Sequence, residues 1–303
     1  MVDEKIWGNN QLSDFSIYEV SPRDGLQNLD HIVPTTTKVS LIDYLVEAGL
    51  NRIEVGSFVH PKLVPNMADS DEIYSQVATK HRDCELGVLV PNKKGMKRAR
   101  SIGVRKINIF MSPSESFNNK NHNDTTYGVY QKYKEVLVDT PKSDVRVYLS
   151  CVFGCPMTDY ISQDDMIRSL EWADEFGDTI VLSDTAGKAT PNSIKSLILL
   201  TRSMGISAKI ALHLHHGEDV SPMHDKLDMA YDMGIRDFDS SVCGLGGCPF
   251  VDGSHGNLAT EDLINWAENR GLRSSIDRER LDSAISFVNS HIRKAKEALQ
   301  LSV

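Results

Sequence analysis

The 303-residue sequence lacks any apolar run that approaches the ~20 residues of a membrane-spanning helix. It also lacks a long basic block, and its formal net charge is −9 at pH 7. We therefore expect neither nucleic acid nor an anionic membrane surface as the main partner. Residues 1–15 have neither the apolar core of a secretion signal nor the arginine-rich, acid-poor composition of a transit peptide. This composition favours a cytoplasmic protein.

Cysteine is sparse and odd in number. An odd set of thiols spread over a long chain indicates reduced cysteines, as in the cytoplasm. The spacing within each of the two closest pairs, four and five residues, is not that of a zinc knuckle. The five cysteines are Cys84, Cys151, Cys155, Cys243 and Cys248.

Apolar strand-like runs alternate with amphipathic segments along most of the chain. Regular β/α alternation predicts a parallel sheet, and eight such units in about 250 residues are typical of a closed (β/α)8 TIM barrel. No linker or composition shift divides the sequence, so we predict one α/β domain over 1–303, with a core at 16–272 and a helical tail at 277–301. The predicted strands are 16–21, 52–57, 86–90, 106–111, 145–152, 179–183, 209–215 and 237–242, and the clearest predicted helices are 37–48, 70–80, 127–138, 164–176, 191–203 and 221–233.

The run His213-Leu214-His215 closes an apolar strand-like stretch. Because strand side chains alternate between faces, His213 and His215 point the same way, and Leu214 takes the opposite face. Two adjacent imidazoles at the end of a strand form half of a divalent-metal site. The alternative is a pair of buried structural histidines. Other candidate ligands at the ends of other predicted strands favour the metal.

In a (β/α)8 barrel the carboxyl ends of the strands face one cavity, so the residues that follow each strand are the candidates for chemistry. Asp24, after the first strand, is suited to ligate a cation. Arg23 beside it can polarise a carbonyl or hold a carboxylate. Glu54 lies within the second strand, where a carboxylate needs a partner, and Arg23 is the natural one. Asp184, after the sixth strand, either orients the site or begins the turn into a helix.

The most distinctive run follows the eighth strand, at 243–257. Its paired glycines, Gly246 and Gly247, allow the backbone mobility of an active-site lid. Cys248 on such a loop would pass over the cavity and could transfer a proton, or it is a free surface thiol. Asn257 offers a neutral oxygen that could complete a metal site. The basic run at 93–100 is a solvated helix face or a contact for phosphates.

Over roughly residues 16–272, these motifs resemble those of the hydroxymethylglutaryl-CoA lyases. The glycine-cysteine loop is the most specific of them, because other metal-dependent barrels share the Arg-Asp pair and the His-x-His. The resemblance is carried by SPRDGLQN at 21–28, RIEVGSFVHPKLVPNMAD at 52–69, the histidines at 213 and 215, and SSVCGLGGCPF with GSHGNLATEDL within 240–263.

The resemblance implies a role for each matching residue. Arg23 corresponds to the catalytic arginine, Glu54 supports it, and Cys248 is the loop cysteine involved in catalysis. Asp24 and His213 are implied both as ligands and as catalytic groups. The implied ligands of Mg²⁺ or Mn²⁺ are Asp24, His213, His215 and Asn257. The implied positions that contact the substrate or support the ligands are Gln27, Ser57, Asp184, Thr185 and Glu261.

The implied activity is cleavage of 3-hydroxy-3-methylglutaryl-CoA to acetyl-CoA and acetoacetate by a metal-assisted retro-Claisen reaction. The family also implies a homodimer, and leucine catabolism is one pathway for such an enzyme. Residues 216–220 depart from the family's usual continuation of the His-x-His motif, so another 3-hydroxyacyl-CoA is an alternative substrate. Two further alternatives are condensation of acetyl-CoA with a 2-oxo acid, and a non-catalytic relative that binds acyl-CoA or metal.

Overall fold

The fold is that of a closed parallel barrel, as predicted. The computed structural model describes residues 13–157, 160–217, 221–247 and 256–293. Each strand pairs in parallel with the next, and the eighth closes on the first. The strands are β1 (Ser16–Glu19), β2 (Arg52–Ser57), β3 (Glu85–Leu89), β4 (Lys106–Met111), β5 (Val145–Leu149), β6 (Thr179–Ser183), β7 (Lys209–His213) and β8 (Asp237–Ser240).

Helices cover the outside of the barrel. Strands β5 and β6 are buried along their whole length, as expected for parallel strands that are covered on both faces. No helix in the described ranges has both the length and the apolarity for a membrane crossing. The helices are α1 (Thr35–Glu47), α2 (Ser70–Lys80), α3 (Lys93–Ser101), α4 (Glu115–His122), α5 (Thr126–Val136), α6 (Gln163–Phe176), α7 (Pro191–Ser203), α8 (Met223–Asp232), α9 (Thr260–Asn269) and α10 (Arg278–Val288).

Four strands end two or more residues earlier than predicted, all at the carboxyl rim, and β3 runs over 85–89 where 86–90 was predicted. After β1 the chain winds into a π-helical turn, Ser21–Gly25, in which three successive amides donate to the Val20 carbonyl. After β5, Cys151 adopts a φ of 65°, which no strand can continue. Beyond β7 and β8, His215 and Ser241 form isolated bridges to residues 257 and 259 instead of extending the barrel ladder. The rim residues thus leave the sheet to build the loops of the site.

The C-terminal tail is helical over the part that the structure describes. Helix α10 begins one residue after its N-cap, Asp277, and a π-helical turn, Asn289–Arg293, follows it. Residues 294–301 lie outside the described part of the chain. The tail packs on α1, with the rings of Tyr44 and Phe287 4.9 Å apart. Its structural role is therefore packing against the barrel's first helix.

Candidate active site at the carboxyl ends of the strands

Arg23 is held between two carboxylates. Its Nε donates to Glu54 Oε2 at 2.5 Å, and its Nη1 donates to Asp24 Oδ1 at 2.7 Å. Asn108 Nδ2 donates to the other oxygen of Glu54 at 2.7 Å. Burial raises the pKa of Glu54, although Arg23 and Asn108 oppose that shift. The predicted ion pair between Arg23 and Glu54 therefore forms, and it fixes the guanidinium in one orientation.

Asp24 is the acid at the centre of the site. Its Oδ1 also accepts from Gln27 Nε2 at 2.8 Å, and its Oδ2 accepts from Asn257 Nδ2 at 2.8 Å. Burial opposes ionisation, but Arg23 and the two nearby imidazoles bring the pKa of Asp24 below its usual range. The side chain is therefore an anion at the carboxyl end of the barrel.

Both histidines have their tautomer fixed by a group that only accepts hydrogen bonds. His213 Nδ1 lies 3.1 Å from Asp239 Oδ2, and His215 Nδ1 lies 2.7 Å from the Asp184 carbonyl oxygen. In the neutral ring each Nδ1 must carry the proton, so each Nε2 keeps its lone pair. Burial lowers the pKa of His213, but Asp239 and Asp24 outweigh it, and the pKa is raised above its usual value. Burial lowers the pKa of His215 to about 4, which keeps it neutral near pH 7.

The arrangement fits a cation bound by nitrogen and oxygen ligands. One ligand atom each from Asp24, His213 and His215 lie within 4.8 Å of one another. Among the described residues, His215 Nε2 and Asn257 Oδ1 are buried and have no hydrogen-bond partner. An isolated backbone bridge pairs His215 directly with Asn257. Buried polar atoms are normally satisfied, and a bound divalent ion would satisfy these.

Four of the remaining predicted residues accept hydrogen bonds from backbone amides of the loops. Asp184 Oδ1 accepts from the amides of residues 188 and 189 at 2.7 and 3.0 Å, at the entry to α7. Thr185 Oγ1 accepts from the residue 151 amide at 2.8 Å. Ser57 Oγ accepts from the residue 59 amide at 3.3 Å, and Glu261 Oε2 accepts from the residue 243 amide at 3.0 Å. Their contacts with substrate stay a prediction. Cys248 and residues 218–220 lie outside the described residues.

Sequence reasoning missed three polar residues that build the site: Glu19, Asn108 and Asp239. All three are buried on barrel strands. The signal was present, because a polar side chain inside a short apolar strand is costly to bury without a partner. The same argument identified Glu54. Asp239 stands in a less apolar run, where a polar residue is a weaker signal.

Glu19 joins three loops of the site. Its Oε1 accepts from the amides of Ser21 and Val242, both at 3.0 Å, and its Oε2 accepts from Thr260 Oγ1 at 2.6 Å. These partners lie in the turn after β1, in the loop after β8 and at the start of α9. Burial raises the pKa of Glu19 to about 7 from 4.5.

The raised pKa of Glu19 makes the free energy of unfolding depend on pH. The folded state binds the proton of Glu19 more tightly than the unfolded state, so its contribution is fully present below pH ~4.5 and is lost as pH rises through about 7. Glu19→Gln removes this loss, because the amide oxygen still accepts from both backbone amides. We therefore expect the difference in melting temperature, Glu19→Gln minus wild type, to be larger at pH 8.5 than at pH 5. An equal difference at both pH values would contradict this assignment.

Gly246 lies against two of the candidate ligands. A Cβ there would stand 2.5 Å from Asn257 Nδ2 and 3.0 Å from the Asp24 carbonyl oxygen, and its φ is +101°. We expect Gly246→Ala to weaken Mn²⁺ binding by ~10-fold or more. A shift of Asn257 or Asp24 that costs only about 1.4 kcal/mol of binding free energy has that effect. Gly205→Ala is the matched control, with a φ of +69° and no atom within 4 Å of the added Cβ. Equal losses of Mn²⁺ affinity in the two variants would contradict the contact.

An acid, an arginine and two imidazoles at the carboxyl ends of parallel barrel strands define a TIM-barrel enzyme. Comparison with known proteins shows its family. The chain belongs to the HMGL-like family, whose model matches residues 14–288. Its curated relatives are hydroxymethylglutaryl-CoA lyases, and the chain is a carbon–carbon lyase.

Similar proteins cover almost the whole chain. The mitochondrial hydroxymethylglutaryl-CoA lyase of Macaca fascicularis is 39% identical over 277 residues, which are 90% of this chain and 84% of that protein. The crystal structure of the Bacillus subtilis HMG-CoA lyase has a TM-score of 0.83 at 35% identity, and the match covers 90% of this chain and 92% of that one.

A third relative was solved with ligands. The structure of an HMG-CoA lyase from Acinetobacter baumannii in complex with coenzyme A and 3-methylmalate has a TM-score of 0.81 at 33% identity. The match covers 89% of this chain and 88% of that one. The likeness therefore extends over most of the chain.

Proposed function

We propose that this protein cleaves 3-hydroxy-3-methylglutaryl-CoA to acetyl-CoA and acetoacetate. The observation that carries the proposal is the convergence of Asp24, His213 and His215 beside the buried pair of Arg23 and Glu54. The relatives described above, all more than 30% identical, are lyases for this thioester. They favour cleavage over condensation with a 2-oxo acid and over a non-catalytic role.

The reaction needs a base, an electron sink and a proton donor. The base takes the proton of the tertiary hydroxyl at C3, the C2–C3 bond breaks, and the C3 oxygen becomes the ketone of acetoacetate. The bonding pair passes to C2 and the thioester oxygen as an enolate, which gains a proton at C2 to give acetyl-CoA. Asp24 and His213 are the two candidate bases, and Asp24 is favoured once metal binds, because His213 then uses Nδ1 for Asp239 and Nε2 for the cation.

Arg23 is the group suited to stabilise the enolate. Its guanidinium is fixed by Glu54 and Asp24 before the substrate binds, so no reorganisation is needed as negative charge develops. Mg²⁺ or Mn²⁺ bound by Asp24, His213, His215 and Asn257 would supply Lewis acidity toward the hydroxyl oxygen, and the two imidazoles favour Mn²⁺. Cys248 is the proposed proton donor to C2. We further propose a cytoplasmic homodimer that acts in leucine catabolism.

The test is product analysis with purified, chelator-treated protein. It is incubated with 3-hydroxy-3-methylglutaryl-CoA, with and without added Mg²⁺ or Mn²⁺, and acetyl-CoA and acetoacetate are measured. We expect both products in equal amounts, and only with metal. A parallel panel of other 3-hydroxyacyl thioesters tests the substrate, because residues 216–220 depart from the family pattern. Cleavage of a panel member in preference to this thioester would overturn the substrate assignment.

A further inference from the structure

A line of alternating charges runs through the inside of the barrel to one candidate metal ligand. It begins at Arg52 on β2, whose Nη1 and Nη2 donate to the two oxygens of Asp237 at 2.9 and 3.1 Å. Arg146 Nη1 on β5 donates to Asp237 Oδ2 at 3.1 Å. Arg146 Nη2 donates to Asp239 Oδ1 at 2.5 Å, and Asp239 Oδ2 faces His213 Nδ1.

The inner members of this line are buried and fixed. Arg146 is 6% exposed and Asp239 is 1% exposed. The guanidinium of Arg146 also lies 4.5 Å from the centre of the Tyr18 ring. Asp237 and Asp239 are two residues apart on β8, so both point into the barrel. Each carboxylate therefore has one defined partner on each side.

We propose that Asp239 and Arg146 are positioning residues that set the tautomer of His213 and, through it, the metal affinity of the site. Asp239 accepts from Nδ1, which leaves the Nε2 lone pair free for a cation. Arg146 dictates which atom of residue 239 faces His213, because a guanidinium only donates and so must meet an oxygen. This inference rests on the metal site proposed above.

Arg146 makes the effect of an amide at position 239 specific. In Asp239→Asn the carbonyl oxygen must stay toward Arg146, which turns the NH₂ group toward His213. An NH₂ group donates, so Nδ1 must accept, and the imidazole proton moves to Nε2. The nitrogen that should bind the cation is then protonated, although the side chains keep their shape. Supporting hydrogen bonds to a metal-ligating histidine typically change metal affinity 10- to 100-fold.

The experiment compares the wild type with Asp239→Asn and Asp237→Asn. Asp237→Asn is the matched control, because it removes a carboxylate of the same line without touching His213. Two-bond ¹⁵N–¹H spectra of ¹⁵N-histidine-labelled, metal-free protein, recorded at a pH at which His213 is neutral, identify the tautomer of each histidine. Mn²⁺ titration gives the affinity. We expect a proton on Nδ1 of His213 in the wild type and in Asp237→Asn.

In Asp239→Asn we expect the proton on Nε2 of His213, an unchanged His215, and Mn²⁺ affinity lower by ~10- to 100-fold. The inference is overturned if His213 keeps its tautomer, or if both variants lose Mn²⁺ affinity equally, as a purely structural role would produce. If the wild type cleaves the thioester and Asp239→Asn binds Mn²⁺ as tightly as the wild type does, only this inference is wrong. Wild-type protein that binds no Mn²⁺ defeats the metal site and this inference together.

Discussion

Replacing Arg23 with methionine is expected to lower kcat by ~10²- to 10³-fold or more, the loss typical when a preorganised group that stabilises a developing oxyanion is removed. The reason is geometric, because the guanidinium stands within hydrogen-bond distance of both Glu54 and Asp24 and is held by both. The stability should also fall, by about 3–5 kcal/mol, since Glu54 would be left as a buried carboxylate without its cation. Steady-state kinetics and thermal unfolding measure the two effects.

Two further variants separate the two effects. Arg23→Met/Glu54→Gln removes the unpaired charge, so it should recover stability and leave kcat low. Arg23→Lys keeps one positive charge but cannot reach both carboxylates with the planar guanidinium geometry. We expect it to recover only a small part of kcat. If the double variant regained turnover along with stability, Arg23 would be a structural residue and not a catalytic one.

Replacing His215 with alanine is expected to abolish metal binding and turnover together. Loss of a direct ligand should exceed the roughly 10- to 100-fold effect of losing a supporting hydrogen bond. His215 Nδ1 donates to the Asp184 carbonyl oxygen. Its Nε2 is buried and has no hydrogen-bond partner among the described residues, so it is the nitrogen available to the metal. Mn²⁺ titration and product analysis on the same sample measure both quantities.

His122→Ala is the matched control for the loss of an imidazole, here a partly buried one. His122 packs on Phe110, with the rings 4.2 Å apart, and its Nε2 lies 3.0 Å from the Phe110 carbonyl oxygen. This variant should lose stability without losing Mn²⁺ affinity. A His215→Ala enzyme that still turned over without bound metal would show that the ligand assignment is wrong.

The barrel was predictable from the sequence because the apolar strands are separated regularly by amphipathic helices. Strands β2, β4 and β6 have the predicted bounds, 52–57, 106–111 and 179–183. The errors lie at the carboxyl rim, where the chain leaves the ladder for turns that depend on partners distant in sequence. Helix α4 was missed because its sequence is polar and it begins at a Ser114 cap without an apolar stripe.

The candidate site was predictable wherever a residue type was unusual for its place. His213, His215 and Glu54 stand in apolar runs, and the structure brings them to one end of the barrel with Arg23 and Asp24. The groups that position these residues were harder to predict from the sequence. The partner of His215 is a backbone carbonyl, which no side-chain pattern reveals, and Glu19 acts through two backbone amides and a hydroxyl. Such contacts exist only once the strands have closed.

The central claim is that one divalent cation is bound between Asp24, His213, His215 and Asn257 at the carboxyl end of the barrel. Anomalous diffraction from crystals grown with Mn²⁺ tests it most directly. The account predicts a single strong peak in contact with a carboxylate oxygen of Asp24, both imidazole Nε2 atoms and Asn257 Oδ1. A peak bound elsewhere on the chain, with these four side chains left unliganded, would contradict it.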